Sequence, residues 1–483
     1  MTVSAREQSQ PRTSVPVAIG GESKYRKGLE RLLTSYRAIA PNSRVRLAKK
    51  TSNLFRARAA TDAPGLDVSG LGSVISIDPQ ARTADVGGMC TYEDFVAATL
   101  PFGLAPTVVP QLKTITLGGA VTGMGIESTS FRAGLPHEVV RSMDILTGAG
   151  EIVTATPDGP NSDLYFGFPN SYGTLGYATR LTVELEPVDR YVELRHVRFH
   201  DLGELQSTMH AIALSHDYDG EPVDYLDGVV FSRTEAYLTL GRKSNEDGPV
   251  SDYTGMDIYY RSIQHERGVT RDRLTTHDYL WRWDTDWFWC SRAFGAQNPT
   301  VRRLWPKHLL RSSFYWKLVA LDRRYDIGDR LAARKGQPPG ERVVQDIEVR
   351  IEELTTFLNW FLDEIPIEPI WLCPLRLRDP GPVGADPQQP WPLYPLEPVH
   401  TYVNVGFWSA VPKQPGQIDG RANRAIEKKV SELGGHKSLY SEAFYGREEF
   451  DVLYGGPVLE QLKSRYDPAG RLLGLYDKTV RRQ

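Results

Sequence analysis

Apolar residues recur at helical spacing over 24–38, where Leu29, Leu32 and Leu33 share a face and predict a helix. Residues 73–78 and 83–87 alternate apolar and polar side chains and predict the arms of a hairpin turned at 79–82. A second helix is predicted over 91–100. Glu93 and Asp94 sit in its first turn, where carboxylates suit the helix dipole, and Pro101 and Gly103 lie beyond its end. A glycine-rich loop covers 116–130, and strand-like runs follow at 139–146, 151–155 and 177–185. Short strands and helices parted by glycine loops predict an α+β fold rather than repeating βαβ units.

The texture changes at Tyr191, where alternating runs lengthen, and Trp281, Trp283, Trp287 and Trp289 crowd one short stretch. A second domain is expected there. The pattern divides the chain into a disordered tail (1–22), a first domain (23–190), a second domain (191–410) and a C-terminal segment (411–483). A proline-rich loop spans 379–398, and no internal repeat is visible.

A chain of 483 residues suits two or three domains, each with its own core. The charge balance, 57 Lys and Arg against 60 Asp and Glu, leaves a net −3 and no single-sign run of the kind that binds nucleic acid. Cys90, Cys290 and Cys373 are odd in number and far apart, so neither a disulfide framework nor a zinc site is expected. The start of the chain has no apolar core of signal-peptide length, and no run approaches the ~20 apolar residues that span a bilayer. A cytoplasmic protein is expected, with peripheral contact to a membrane surface left open.

The chemistry concentrates in the glycine loop. Thr116 precedes Gly118, Gly119, Gly123 and Gly125, and Ser128, Thr129 and Ser130 follow. Backbone without Cβ approaches a pyrophosphate closely, and hydroxyls help to solvate it. The spacing matches neither the Rossmann fingerprint nor a P-loop. A second segment, 161–179, runs Asn161-Ser-Asp-Leu and then Gly173-Thr-Leu-Gly-Tyr-Ala-Thr179.

Taken together, the two segments resemble the FAD loops of the vanillyl-alcohol-oxidase (PCMH-type) flavoproteins. Gly125-Ile-Glu-Ser-Thr-Ser130, Gly134-Leu135, Lys49-Lys50-Thr51 with Asn53, Pro369-Ile-Trp-Leu-Cys-Pro374, Gly446-Arg-Glu-Glu-Phe450 and Leu475-Tyr-Asp-Lys478 narrow the likeness to the sterol side-chain reductases. The resemblance implies a two-subdomain FAD-binding domain, an α+β substrate (cap) domain, and a C-terminal segment that returns to the flavin. It implies that Lys50, Thr51, Ser52, Asn53 and the loop from Thr116 through Ser128 hold the FAD, with Gly173, Gly176, Tyr177 and Thr179 alongside. Glu127 would repel a diphosphate, and is expected to cap N–H groups or bind a ribose hydroxyl. No histidine precedes His137 and Cys90 reads as a small buried residue, so the FAD is expected to be non-covalent.

The activity implied is reduction of an isolated C=C bond in a lipid, with NADPH as electron donor. An isolated alkene resists direct hydride addition, so protonation first is the plausible order. That order needs an acid and an aromatic wall that tolerates a cation. Glu442, Tyr445 and Glu448 are the catalytic candidates, and Trp371, Trp408 and Lys437 the substrate-pocket candidates. A methylene-branched acyl chain or a sterol side chain would serve as substrate. Two alternatives stand beside this reading: an FAD oxidase of an alcohol such as a polyprenyl-linked sugar, and a flavin-binding protein without catalysis. The oligomeric state is not legible.

Overall fold

The computed structural model describes residues 17–18, 21–49, 55–56, 64–325, 330, 334, 336, 338–378, 390–413, 416–418 and 420–482. The expected hairpin forms from strands Val74–Asp78 and Thr83–Gly87, and the strand Val17–Ala18 pairs with its outer arm. Part of the expected tail is therefore sheet, and the first helix, Gly21–Ala38, begins two residues before 23. Strand Gly176–Pro187 is the organiser of this first sheet. Thr83–Gly87 lies on one side of it, Val140–Thr147 and then Ile152–Ala155 on the other, and Leu104–Pro106 meets its far end. All of these pairs are antiparallel.

The helix predicted over 91–100 runs Tyr92–Thr99, and the Thr91 hydroxyl caps it by accepting from the Asp94 N–H. The glycine loop departs from expectation, because Leu117–Gly123 is helical. Gly118 makes that possible. Its N–H donates to the Gly88 carbonyl, and a Cβ on Gly118 would lie 2.7 Å from that same oxygen, so only glycine lets the helix press against the strand behind it.

The second sheet has eight strands, in the order Val269–Thr275, Tyr191–Phe199, Glu235–Ser244, Tyr225–Ser232, Ile370–Leu375, Tyr402–Pro412, Gly340–Arg350 and His436–Lys437. Both of its faces are covered, so its central strands are buried throughout rather than alternating with solvent. Period-two alternation sorts the side chains. Val343, Ile347, Leu372, Val405 and Phe407 pack under helices Leu202–Ser215, Leu354–Glu364 and Arg421–Glu432. Trp371, Cys373 and Trp408 point the other way, into the core shared with the first domain.

The strand Tyr402–Pro412 crosses the boundary expected at 410, because it pairs along its whole length with Gly340–Arg350. Beyond it the chain returns to the first domain. On helix Gly456–Tyr466, Lys463 donates to the Thr174 carbonyl. Among the described residues no helix is long and apolar enough to cross a membrane.

Candidate active site

A cleft of about 400 Å³ opens where the glycine helix of the first domain faces the Trp371 and Trp408 side of the second sheet. Thr116, Gly118, Gly119, Gly123, Gly125, Gly173, Gly176 and Tyr177 line it. Its described lining contains four basic residues, Arg46, Lys49, Arg56 and Lys478, and one carboxylate, Asp346. Lys49 Nζ donates to the Thr116 hydroxyl at 3.1 Å. Lys50, Thr51, Ser52 and Asn53 lie outside the described residues.

Tyr172 ties the glycine helix to the C-terminal segment, a role that the sequence reading missed. Its hydroxyl donates to the Gly123 carbonyl at 3.1 Å and accepts the Leu439 N–H at 2.9 Å. Its carbonyl accepts from Lys478 Nζ at 2.6 Å. The residue is held at a φ of 49°, in the left-handed region that a tyrosine adopts only when its surroundings fix it.

The opposite wall is aromatic. Phe55, Trp287, Phe288, Trp371, Trp408 and Tyr440 line it. Trp287 and Phe288 are presented by two successive positive-φ residues, at 46° and 59°. The ring of Phe288 stacks on Trp408 at 4.2 Å. Trp281, Trp283 and Trp289, from the same tryptophan-rich stretch, are instead buried in the core, and Trp289 Nε1 donates to the Trp408 carbonyl.

One acid stands among these rings. Asp346, Gly406 and Trp371 form a single cross-strand row. A Cβ on Gly406 would lie 2.5 Å from Asp346 Oδ1, so the glycine leaves the room that the carboxyl needs. Burial pushes the Asp346 carboxyl up to about 6, against hydrogen bonds from Asn404 and Tyr440 that favour its charged form. Trp408 Nε1 donates to the Tyr440 hydroxyl at 3.0 Å, and burial raises that phenol well above its ordinary range. Glu348 follows two residues along the same face, fully buried, its carboxyl raised by burial and by the neighbouring Asp346.

Several expected site residues lie elsewhere. Glu442 is half-buried and pairs with Arg482 at 3.5 Å, and Glu448 is exposed on the first turn of helix Arg447–Leu453. Tyr445 is buried against Phe450 and Tyr454. None of the three lines the cleft, because the segment after Tyr440 turns away from it to pack on Glu427 and helix Arg447–Leu453. Lys437 is drawn into that packing, with its ammonium paired to Glu427 at 2.7 Å. Thr179 is fully buried beneath the sheet, where it donates to the Asp144 carbonyl. The carboxyl in the described cleft lining is that of Asp346, hydrogen-bonded to Tyr440.

Ser128 and Glu127 are also withdrawn from the cleft. Arg282, fully buried, pairs with Glu127 at 3.1 Å and Asp227 at 2.9 Å, and the Ser128 hydroxyl donates to Glu127 at 2.6 Å. Trp283 and Trp371 both donate their indole N–H to Asp227 at 3.2 Å. Glu127 therefore holds a buried guanidinium between the domains instead of capping N–H groups or meeting a ribose. The same network orients Trp371, a cleft residue. A buried ion pair of this kind demands full partnering, since an uncompensated charge there is costly.

Residues 36–156 match the model of an FAD binding domain. The chain thus carries an FAD-binding domain. It is similar to the Delta(24)-sterol reductase of Homo sapiens, 26% identical over 343 residues, which cover 70% of this chain and 63% of that protein. The chain thus spans just under two thirds of that relative's length. Similarity to the Delta(24)-sterol reductase of Arabidopsis thaliana is 26% over 437 residues, covering 86% of this chain and 76% of the relative. The decaprenylphosphoryl-beta-D-ribose oxidase of Mycolicibacterium smegmatis is 35% identical over 124 residues, 26% of this chain and 27% of that protein.

The residues present fit FAD. A Cβ on Gly119 would meet only the Thr116 hydroxyl, at 2.9 Å, so this face of the glycine helix is open to a ligand approaching from the cleft. The surrounding basic groups suit a diphosphate, and the aromatic wall suits a flat ring system. Cys90, by contrast, is fully buried with its thiol pushed up to about 12, and offers no nucleophile for a covalent link.

Proposed function

We propose that this protein is an FAD-dependent oxidoreductase that reduces an isolated C=C bond of a lipid, in a methylene-branched acyl chain or a sterol side chain, with electrons from NADPH. The observation that carries the reading is the pairing of Asp346 with Tyr440 on the aromatic wall of the cleft. Bound FAD supplies the two-electron reduction, taking its electrons from the nicotinamide donor. Thr116, Gly119 and Gly123 would hold its diphosphate side, with Lys49 and Lys478 nearby.

The protein's own residues supply the proton. An isolated alkene has no carbonyl to absorb charge, so the first bond to form is C–H, at the less substituted carbon. Asp346, protonated up to a pH of about 6, is the proton reservoir, and the Tyr440 hydroxyl that it bonds passes the proton on. The branched carbon left behind carries positive charge, which the faces of Trp287, Trp371 and Trp408 stabilise while excluding water.

The test is an anaerobic half-reaction. Protein reduced with NADPH should be reoxidised by a methylene-branched phospholipid faster than by a Δ24 sterol. In deuterated water one deuterium should enter the carbon that becomes methyl. The short, closer match to a ribose oxidase favours a second reading, oxidation of an alcohol carried on a lipid. Reduction of the flavin by such an alcohol without NADPH would establish that reading and remove the first.

A further inference from the structure

Residues 299–325 carry seven Lys and Arg against one carboxylate, Asp322, in a chain whose net charge is −3. They form helix Pro299–Leu304, the short turn Lys307–Leu309 and helix Ser312–Tyr325. Among the cations whose side chains are described, Arg302 pairs with Asp286 and Arg311 with Glu93. Arg303, Lys307 and Lys317 are exposed.

Bulky apolar groups stand among them: Leu304 is 79% exposed, Leu321 47% and Val301 39%. Single exposed leucines are ordinary, but here three exposed aliphatic groups stand among the cations of one short segment. Tyr315 and Trp316 turn inward, with Trp316 lying 4.8 Å from Phe55 and 5.2 Å from Trp287, two residues of the cleft wall. Leu318 packs on the core beside them, whereas Leu321, one turn after the exposed Lys317, faces outward. Trp305 meets Phe314 at 6.0 Å and so joins the long helix to the one that carries Leu304.

We propose that residues 299–325 dock the protein onto an anionic phospholipid surface. Leu304 and Leu321 enter the boundary of headgroups and acyl chains, and Arg303, Lys307 and Lys317 meet lipid phosphates. Amphipathic segments with exposed aliphatic groups between cations bind interfaces in this way. A second copy of the chain fits less well, because a two-fold contact would set these cations against their own equivalents. Docking brings the cleft wall at Phe55 and Trp287 close to the bilayer, through Trp316, without a spanning segment. The inference rests on the lipid reading for its purpose, but its test reads adsorption and not turnover, so the two can fail separately.

The test is co-sedimentation of the flavin-loaded protein with vesicles of phosphatidylcholine alone and of phosphatidylcholine mixed with phosphatidylglycerol. Binding is expected on the mixed vesicles, weaker on the neutral ones, and reduced by salt. Leu304→Asp with Leu321→Asp should abolish it, and Arg303→Glu with Lys317→Glu should weaken it by roughly fivefold or more per cation. Unchanged flavin absorbance and melting temperature would show that each variant is folded. Absence of wild-type binding, or equal binding by all variants, overturns the proposal. A change of oligomeric state in the leucine variants without any vesicle binding overturns it too, and makes the surface a contact between copies.

Discussion

The Asp346 carboxylate occupies the space that a side chain on Gly406 would fill. Both residues belong to one cross-strand row that includes Trp371, and a Cβ on Gly406 would also come within 2.7 Å of the Trp408 ring. Gly406→Ala should therefore displace the acid and the ring together. Turnover should fall by about tenfold or more, as misplaced catalytic groups typically cost, while flavin content stays at the wild-type level. Steady-state rates and visible absorbance on one preparation check this, and unchanged turnover would remove Asp346 from the mechanism.

The raised carboxyl of Asp346 sets a pH dependence with a definite sign. Activity limited by the protonated acid should fall as pH rises through about 6, and Asp346→Asn should flatten that limb while lowering the rate. Stability carries a related signature. Between the ordinary carboxyl value and about 6 the folded chain keeps a proton that the unfolded chain has released, so stability falls as pH rises through that window. Glu138, pushed up to about 7 by burial, adds a fall of the same sign. Denaturation midpoints at several pH values should show a smaller fall in Asp346→Asn than in the wild type.

Adjacent glycines should respond differently to the same substitution. In Gly119→Val the side chain enters the cleft, and the protein should fold without its flavin. In Gly118→Val the side chain meets the Gly88 carbonyl, which backbone cannot yield cheaply, and the fold itself should be lost. Circular dichroism beside flavin absorbance separates the two outcomes. Full flavin occupancy in Gly119→Val would mean that the helix is not the cradle.

Removing one partner of Arg282 should be severe. Asp227→Ala leaves a fully buried guanidinium with Glu127 as its one remaining carboxylate and strands two indole N–H groups, and a loss of about 3–5 kcal/mol is expected, as for other broken buried pairs. Surface pairs such as Arg447 with Glu460 should cost below about 1 kcal/mol. Denaturant titration of the two variants side by side checks the contrast.

The flavin should leave the protein intact on acid precipitation. No histidine or cysteine is found among the described cleft residues, and Cys90 is buried with a raised thiol. Colour kept in the washed precipitate would contradict this.

The sequence by itself determined the α+β character, the hairpin, the two glycine segments and the likeness to FAD flavoproteins, because each rests on local spacing or on contiguous motifs. Thr116, Gly119, Gly123, Gly173 and Tyr177 belong to those motifs, and the fold brings them to one cleft. Glu127 belongs to one as well, yet only the packing shows that its partner is Arg282, 155 residues away. The acids at the cleft were decided by the tertiary structure alone. Asp346 and Tyr440 sit on separate elements, and nothing in either segment marks a site. A period-two pattern shows that Asp346 and Glu348 share a face, but not which face meets the cofactor domain. That assignment comes from the register of Gly340–Arg350 against Tyr402–Pro412, which sets Asp346 opposite Gly406, while Lys437 pairs with Ile347 on the other face. Chain-local spacing fixes what an element exposes, whereas the identity of the opposing surface is a property of long-range pairing.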